Sequence, residues 1–288
     1  MKIGAILITA GCGTAPALPS GSVTAAQRMI ASLKKAGVHI IAVVTGAEDR
    51  KFEKQLAQPD VFFLHHPTPD DEQASLQVGL NYLSEKCQAI FCLPANRPLL
   101  APETLIQMLD TPGNAVAPLC QGRQEPILLI RKPYPDVHSL ADTPVENLLH
   151  VEDRGVLLMA EEAKDLADAI AEHDRKLTRP VLDLSIACGK PLVDGKLVTL
   201  LHLVEETQSV RHACEQMQMS YSAAWNLLNT TEDSLGYPLV QRNKGGPSGM
   251  GSLLTEKGYA LLSAFDQFES EARNSIEKLY HTYFQNIL

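Results

Sequence analysis

Two hydrophobic periodicities divide this chain. Up to about residue 175, short unbroken apolar runs alternate with stretches in which apolar residues recur every three or four positions, the patterns of buried strands and amphipathic helices. Ile3–Ile8 reads as a buried strand, followed by the loop Thr9-Ala10-Gly11-Cys12-Gly13-Thr14 and a helix over about Thr24–Ala36. Val38–Thr45, Val61–His65 and Ala89–Leu93 read as further strands, Ser75–Ser84 as a helix, Val156–Leu158 as a closing strand, and Glu161–Ile170 as an amphipathic helix with a wet face. Strands alternating with helices predict an α/β domain with a Rossmann-like, mainly parallel sheet covered on both faces. Ligands of such sheets bind beyond the carboxyl ends of the strands.

The second periodicity is helical. The polar stretch Glu172–Pro180 suits a boundary, so the expected domains are 1–175 and 180–288, the second opening on a strand at Val181–Ile186 and a helix at Leu197–Glu206. Apolar positions at Val210, Ala213 and Cys214, a break at Met217–Ser220, then Ala223, Ala224, Leu227 and Leu228 predict two short helices joined by a tight turn. Ser220 is placed to cap the second of them. A glycine-rich wing follows at Gly245–Gly251. After Gly258 a long helix carries Phe265, Phe268, Ala272, Ile276, Leu279, Tyr283 and Ile287 on one stripe, too much apolar surface to leave bare. It is expected to pair with its symmetry mate in a homodimer, with packing on its own domain as the competing explanation.

Composition narrows the function classes. With 288 residues, 45% hydrophobic and 20% charged, the chain is an ordinary globular one. Its longest apolar runs are far too short to span a bilayer, so no membrane partner is expected and a cytoplasmic setting is. Six cysteines without a Cys-x-x-Cys pair argue against a structural zinc site or disulfide framework and for buried thiols. His65 and His66, adjacent on an extended segment, point to opposite faces and give a common metal at most one ligand. The net charge of −9 is unusual for a chain that would contact phosphates, and even the segment after Pro180 carries eight basic against twelve acidic residues. Arg242 and Lys244 nevertheless sit where no acid occurs between Gln241 and Leu254, leaving a locally positive wing.

The first half resembles the molybdenum-cofactor nucleotidyltransferases of the MobA/MocA type. The resemblance rests on Ile8-Thr9-Ala10-Gly11, Val43-Val44-Thr45-Gly46, Ser75-Leu76-Gln77-Val78-Gly79-Leu80, Leu93-Pro94-Ala95-Asn96-Arg97-Pro98 and Gly122-Arg123-Gln124-Glu125-Pro126, in that order. It departs from the family where nucleotidyl transfer needs charge. The family's loop carries Arg and Lys, whereas Gly13–Pro19 has neither. Ser22 falls near a second lysine's place, and Asn96 stands where the magnesium-binding Asp belongs. Arg28-Met29 repeats a family dipeptide, but inside a helix. The resemblance therefore implies a nucleotidyltransferase-like domain without catalytic or metal-binding residues, kept as a ligand sensor or dimerisation scaffold. Its degenerate cleft would lie at Ala10, Gly11, Gly13, Thr45, Ser75 and Asn96, with nucleotide, molybdopterin or molybdate as candidate effector. A scaffold that binds nothing is the plainer alternative. An active molybdopterin cytidylyl- or guanylyltransferase with a DNA-binding tail is the rival, and a cofactor-delivering chaperone a third reading.

The second half resembles the DNA-binding domain of ModE, a winged helix akin to the LysR group. Five blocks carry it: Glu206–Val210, Met219–Trp225, Leu235–Val240, Gly245–Gly251 and Leu254–Gly258. The resemblance implies double-stranded DNA as partner. It puts Ser209, Ser220, Tyr221, Ser222, Ala223 and Asn226 at the reading surface and Arg242, Lys244, Gly245 and Gly246 on the wing. Trp225, the single tryptophan, is expected in the core.

Overall fold

The computed structural model describes residues 1–288 apart from 47–49, 59, 69, 243–250, 285–286 and 288. It divides into two compact units, Met1–Thr178 and Arg179–Leu288.

The first unit is built on an eight-stranded sheet. Seven strands lie in the order Asn147–Val151, Ala115–Cys120, Leu128–Arg131, Ala89–Pro94, Ile3–Ile8, Ile40–Thr45 and Val61–His65, and Arg123–Gln124 pairs with Ala115–Cys120. All neighbours along the row are parallel except at Leu128–Arg131, which runs antiparallel to both of its own. The mainly parallel sheet expected from the sequence is therefore present. Successive strand residues enter opposite cores. Ala5 and Leu7 join one face with Met29, Leu33, Leu105 and Met108, while Ile6 and Ile8 join the other with Leu76 and Leu83. Burial on both faces is why these strands read as unbroken apolar runs. The helix Ala25–Lys35 starts at Thr24 through a capping box with Gln27, and Glu72–Leu83 starts at Asp71, whose carboxylate takes the Ala74 N–H at 3.0 Å. Gly79 lets this helix close on the sheet, since a Cβ there would lie 2.6 Å from Ile6.

Three sequence expectations need correction. Val156–Leu158 is no strand: Arg154–Val156 is a single 3-10 turn, and the edge strand is Asn147–Val151. Gly155 sits against the Leu99 carbonyl, where a Cβ would approach to 1.8 Å, and Asp153 takes the N–H of Gly155, the N–H of Ala101 and the Thr104 hydroxyl. Those bonds curl the segment. The acidic helix is two pieces, Ala160–Ala163 and Ala167–Lys176, the first fixed by Ala160 N–H donating to the Asn96 carbonyl at 3.0 Å. In the second unit the strand lies at Ser185–Cys188, not Val181–Ile186. It turns tightly through Gly189 (φ +73°) to pair with Lys190–Asp194, which leaves Cys188 exposed while the other five cysteines are buried.

The second unit continues with helices Gly195–Thr207, Val210–Gln216 and Tyr221–Leu235, the strand pair Val240–Arg242 with Ser252–Leu254, and the helix Glu256–Phe284. Leu197, Leu201, Val204, Val210, Ala213, Ala224, Leu228, Leu262 and Phe265 are buried in it. Gly258 belongs to this packing: a Cβ there would meet the Leu239 carbonyl at 2.3 Å.

Candidate functional site

A crevice is set by topology. From Ile3–Ile8 the chain moves outward through Ile40–Thr45 to Val61–His65, then returns to the opposite side as Ala89–Pro94. The loops leaving the two central strands therefore part at their carboxyl ends, joined at the root by Ala95 N–H donating to the Ile8 carbonyl at 2.8 Å. Gly11 and Gly13 are exposed with φ of +70° and +53°, and a Cβ at either meets nothing within 4 Å. Left-handed backbone, not crowding, selects glycine there. Ala10 is buried beneath the loop. The Cys12 thiol is buried and donates to the Ile8 carbonyl at 3.5 Å. Burial pushes it up to about 11, opposed by the Ala95 N–H and Arg97 and assisted by the carboxylates of Glu161 and Glu72. Charges of both signs, the Arg97 guanidinium first, thus act at this loop.

Thr45 ends the neighbouring strand, but it is buried and its hydroxyl donates to Glu53 Oε1 at 2.6 Å. Glu53, itself buried, also meets His65 Nε2 at 2.7 Å. Ser75 is buried within its helix. Gly11 and Gly13 are thus exposed at the loop, whereas Thr45 and Ser75 are both buried.

Asn96 follows the strand Ala89–Pro94. Its Oδ1 is buried without a hydrogen-bond partner, and magnesium prefers anionic oxygen. The next side chain, Arg97, is a buried cation whose Nη2 lies 2.7 Å from Glu125 Oε2, with the other Glu125 oxygen 2.9 Å from Arg123. Glu125 is thus engaged by two guanidinium groups. These residues do not fit a magnesium–triphosphate, and among the described residues no group of three or more His, Cys, Asp or Glu is placed to hold a metal ion.

Sequence reasoning missed the buried ion pairs, for which spacing carries no signal. Arg28 is the second. Its guanidinium is fully buried, holds the Ser20 carbonyl at 2.7 Å and Asp174 at 2.6 Å, and reaches His173 Nδ1 at 3.3 Å. His173 Nε2 lies 3.0 Å from the Leu100 carbonyl. Arg28 therefore fastens the hairpin Pro19–Thr24 to the helix Ala167–Lys176. Two shallow cavities, of ≈350 and ≈400 Å³, both touch that hairpin at Pro19 and Gly21. Ser22, Thr24, Gln27 and Gln55 line the first, Lys164, Ile170 and Asp174 the second, and none of the crevice residues lines either.

In the second unit, the turn between Val210–Gln216 and Tyr221–Leu235 passes through Gln218 in left-handed backbone (φ +53°). Ser209 caps the first helix by accepting His212 N–H and Ser220 the second by accepting Ala223 N–H at 3.2 Å. Ala224, Leu228 and Thr231 face inward, while Ser220, Tyr221, Ser222, Ala223 and Asn226 are exposed and Ser209 is half-buried. One face of the helix start thus presents hydroxyls, a phenol and an amide. Trp225 is half-buried rather than core and stacks edge-on against Tyr221, ring centroids 6.0 Å apart. Gly236 (φ +75°) ends the helix, and Glu232 Oε1 accepts the N–H groups of Leu239 and Val240 at 2.7 and 3.0 Å, aiming the wing strand. Arg242 ends that strand, whereas Lys244, Gly245 and Gly246 lie outside the described residues.

The sequence profile described as MobA-like NTP transferase domain matches residues 15–181, more than half of the chain. The chain belongs to the MobA-like NTP transferase family. In this MobA-like chain a second profile, Bacterial regulatory helix-turn-helix protein, lysR family, matches residues 196–259. Among curated proteins it is similar to the molybdenum transport protein ModE of Azotobacter vinelandii, 31% identical over 105 residues that cover 36% of this chain and 38% of that protein. It is likewise similar to the transcriptional regulator ModE of Haemophilus influenzae, 34% identical over 77 residues, or 27% of this chain and 30% of that one. The chain thus spans well under half the length of the curated relatives it matches. A nucleotidyl transferase from Methanothermobacter superposes with a TM-score of 0.45 at 20% identity, over 61% of this chain and 98% of that one. No helix among the described residues is long and apolar enough to cross a membrane.

Proposed function

We propose that this chain is a DNA-binding transcriptional regulator linked to molybdenum or its cofactor, with its MobA-like unit acting as ligand sensor or scaffold rather than as a nucleotidyltransferase. The observation that carries the reading is the capped helix start at Ser220, where Tyr221, Ser222, Ala223 and Asn226 stand exposed together. Such groups reach base edges and phosphates when a helix of this kind enters a major groove. The Haemophilus relative, a transcriptional regulator, supports the regulator reading, and the Azotobacter relative, a molybdenum transport protein, supplies the link to molybdenum. The sensor half of the reading is supported by the chemistry at Asn96, where an amide stands in place of the family's metal carboxylate. An effector there, whether nucleotide, molybdopterin or molybdate, acts by favouring one arrangement of the reading units over another.

Calorimetry of the full chain with CTP and GTP, each with and without magnesium, and with molybdate, separates this reading from its rival. Magnesium-independent binding, or none, agrees with the regulator. Magnesium-dependent binding of either nucleotide supports a cytidylyl- or guanylyltransferase and contradicts the silent-domain half of the proposal.

A further inference from the structure

The helix Ala167–Lys176 closes the first unit and buries little of itself. Ile170 and His173 are its buried residues. Ile170 packs in a small cluster with Leu99 and Ala163, and the remaining hold centres on one cation. Arg28, fully buried in the helix Ala25–Lys35, donates from Nη1 to Asp174 Oδ1 at 2.6 Å and to His173 Nδ1 at 3.3 Å, and from Nη2 to the Ser20 carbonyl at 2.7 Å. The hairpin Pro19–Thr24 presses on the same spot: a Cβ on Gly21 would lie 2.9 Å from Ile170 Cγ2 and 3.0 Å from Arg28 Nη2. Two residues past the helix the first unit ends at Thr178, whose carbonyl takes Lys35 Nζ at 2.6 Å.

The partners fix the protonation of His173. A guanidinium only donates, so the Nδ1 that faces Arg28 offers its lone pair. A carbonyl only accepts, so Nε2, 3.0 Å from the Leu100 carbonyl, carries the hydrogen. Ser32 Oγ lies 3.4 Å from the same nitrogen. His173 is therefore neutral in this arrangement. A second proton has one place to go, Nδ1, where it meets a hydrogen of Arg28 Nη1. Burial holds His173 below its ordinary 6.5; the Leu100 carbonyl opposes that, Arg28 adds to it, Asp153 opposes it and Lys176 adds to it. Asp174, the other acid beside the ring, is already engaged by Arg28, and its side chain is 54% exposed.

We propose that Arg28 and His173 form a proton-operated latch, in which protonation of His173 Nδ1 parts the helix Ala167–Lys176 and the hairpin Pro19–Thr24 from Arg28 while the sheet stays folded. The charged ring has to leave Arg28, and with those bonds gone Ile170 is the buried anchor left to the helix, so the opening is local. Its direction follows from the shift. The closed latch refuses a proton that the open one binds, so closure is fully favoured above pH 6.5 and is lost as pH falls toward the closed-state value. One proton couples to the opening, which raises its equilibrium constant by at most about tenfold per pH unit. The hairpin continues the loop Gly13–Pro19 and the helix ends beside the unit boundary, so the latch joins the loop to the end of the unit. Use of that path by an effector rests on the sensor reading; the latch itself does not.

The test is hydrogen–deuterium exchange of the full chain between pH 8 and pH 5.5, with labelling times scaled to the intrinsic exchange rate. Peptides covering 19–24 and 167–176 are expected to lose protection below pH 6.5, by up to about tenfold per pH unit, while those covering Ala89–Pro94 keep theirs. Constant protection across the range, or a loss that spreads equally to Ala89–Pro94, overturns the proposal. His173→Gln offers Arg28 an oxygen and the Leu100 carbonyl an N–H without a titrating group, and is expected to hold protection level throughout. A pH-dependent loss that persists in this variant overturns the assignment to His173. Should the variant fail to fold, histidine nitrogen spectra of the unaltered chain decide: the neutral Nε2–H tautomer is expected at pH 8, and an Nδ1–H tautomer overturns the latch. Failure of the regulator reading looks different: the acid-induced release is present and no DNA is bound.

Discussion

The proposal of a silent MobA-like unit turns on Asn96. Asn96→Asp adds the carboxylate that magnesium prefers, yet the loop Gly13–Pro19 still carries no Arg or Lys to hold a triphosphate. The expected result is no gain in magnesium-dependent nucleotide affinity by calorimetry. The glycines divide by what a Cβ would meet. Gly155→Ala drives a Cβ into the Leu99 carbonyl and is expected to cost about 3 kcal/mol or more in urea unfolding. Gly11→Ala meets open space, so only its left-handed backbone opposes it, at about 1 kcal/mol. Titration supplies another test. Burial holds His173 and His39 below the ordinary 6.5, so below pH 6.5 the unfolded chain binds protons that the folded chain refuses. Stability is therefore full above pH 6.5 and declines as pH falls toward the folded values. Urea midpoints from pH 8 to pH 5 check the sign, and a midpoint that rises on acidification contradicts it. At this scale the sequence was legible where backbone chemistry selects the residue, as at the Ser220 cap. It was silent on Arg28 and Glu125, since a partner 146 residues away in Asp174 leaves no local trace.

At the scale of elements, the apolar runs Ile3–Ile8, Val61–His65 and Ala89–Pro94 were legible because strands buried on both faces need no polar alternation. Val156–Leu158 was misread for a related reason: an apolar run also forms where a turn packs inward, and the bonds of Asp153 that curl it are tertiary. The hairpin at Ser185–Asp194 turns on Gly189, a local signal that was present, but Val181–Ile186 offered a longer competing run than the four-residue strand Ser185–Cys188. The helix-turn-helix was clear from its spacing, and its energetics are local. Ser220→Ala removes the acceptor for Ala223 N–H and is expected to lower stability by about 1 kcal/mol, measured by thermal or urea unfolding. Phe265→Ala empties a buried position that joins the long helix to its unit, at about 3–5 kcal/mol. Phe268→Ala, half exposed on the same stripe and edge-on to Phe265 at 6.4 Å between ring centroids, is expected to cost less, about 0.5–1.5 kcal/mol.

For the whole molecule, the central claim is that DNA recognition is the activity and that the MobA-like unit serves it. Between Lys196 and Tyr259 the basic side chains are Lys196, Arg211, Arg242, Lys244 and Lys257, against Glu205, Glu206, Glu215, Glu232, Asp233 and Glu256. Non-specific attraction to phosphate is therefore expected to be weak, and the proposal assigns sequence preference to Tyr221, Ser222 and Asn226 at the helix start. The most direct measurement is selection of bound duplexes from a fragment library by the full chain, at low and at physiological salt, beside the variant carrying Tyr221→Ala and Asn226→Ala. The account predicts that a distinct subset of sequences is enriched at both salts and that the double variant loses the enrichment while remaining folded. Uniform recovery of all fragments by the unaltered chain, even at low salt, would contradict it.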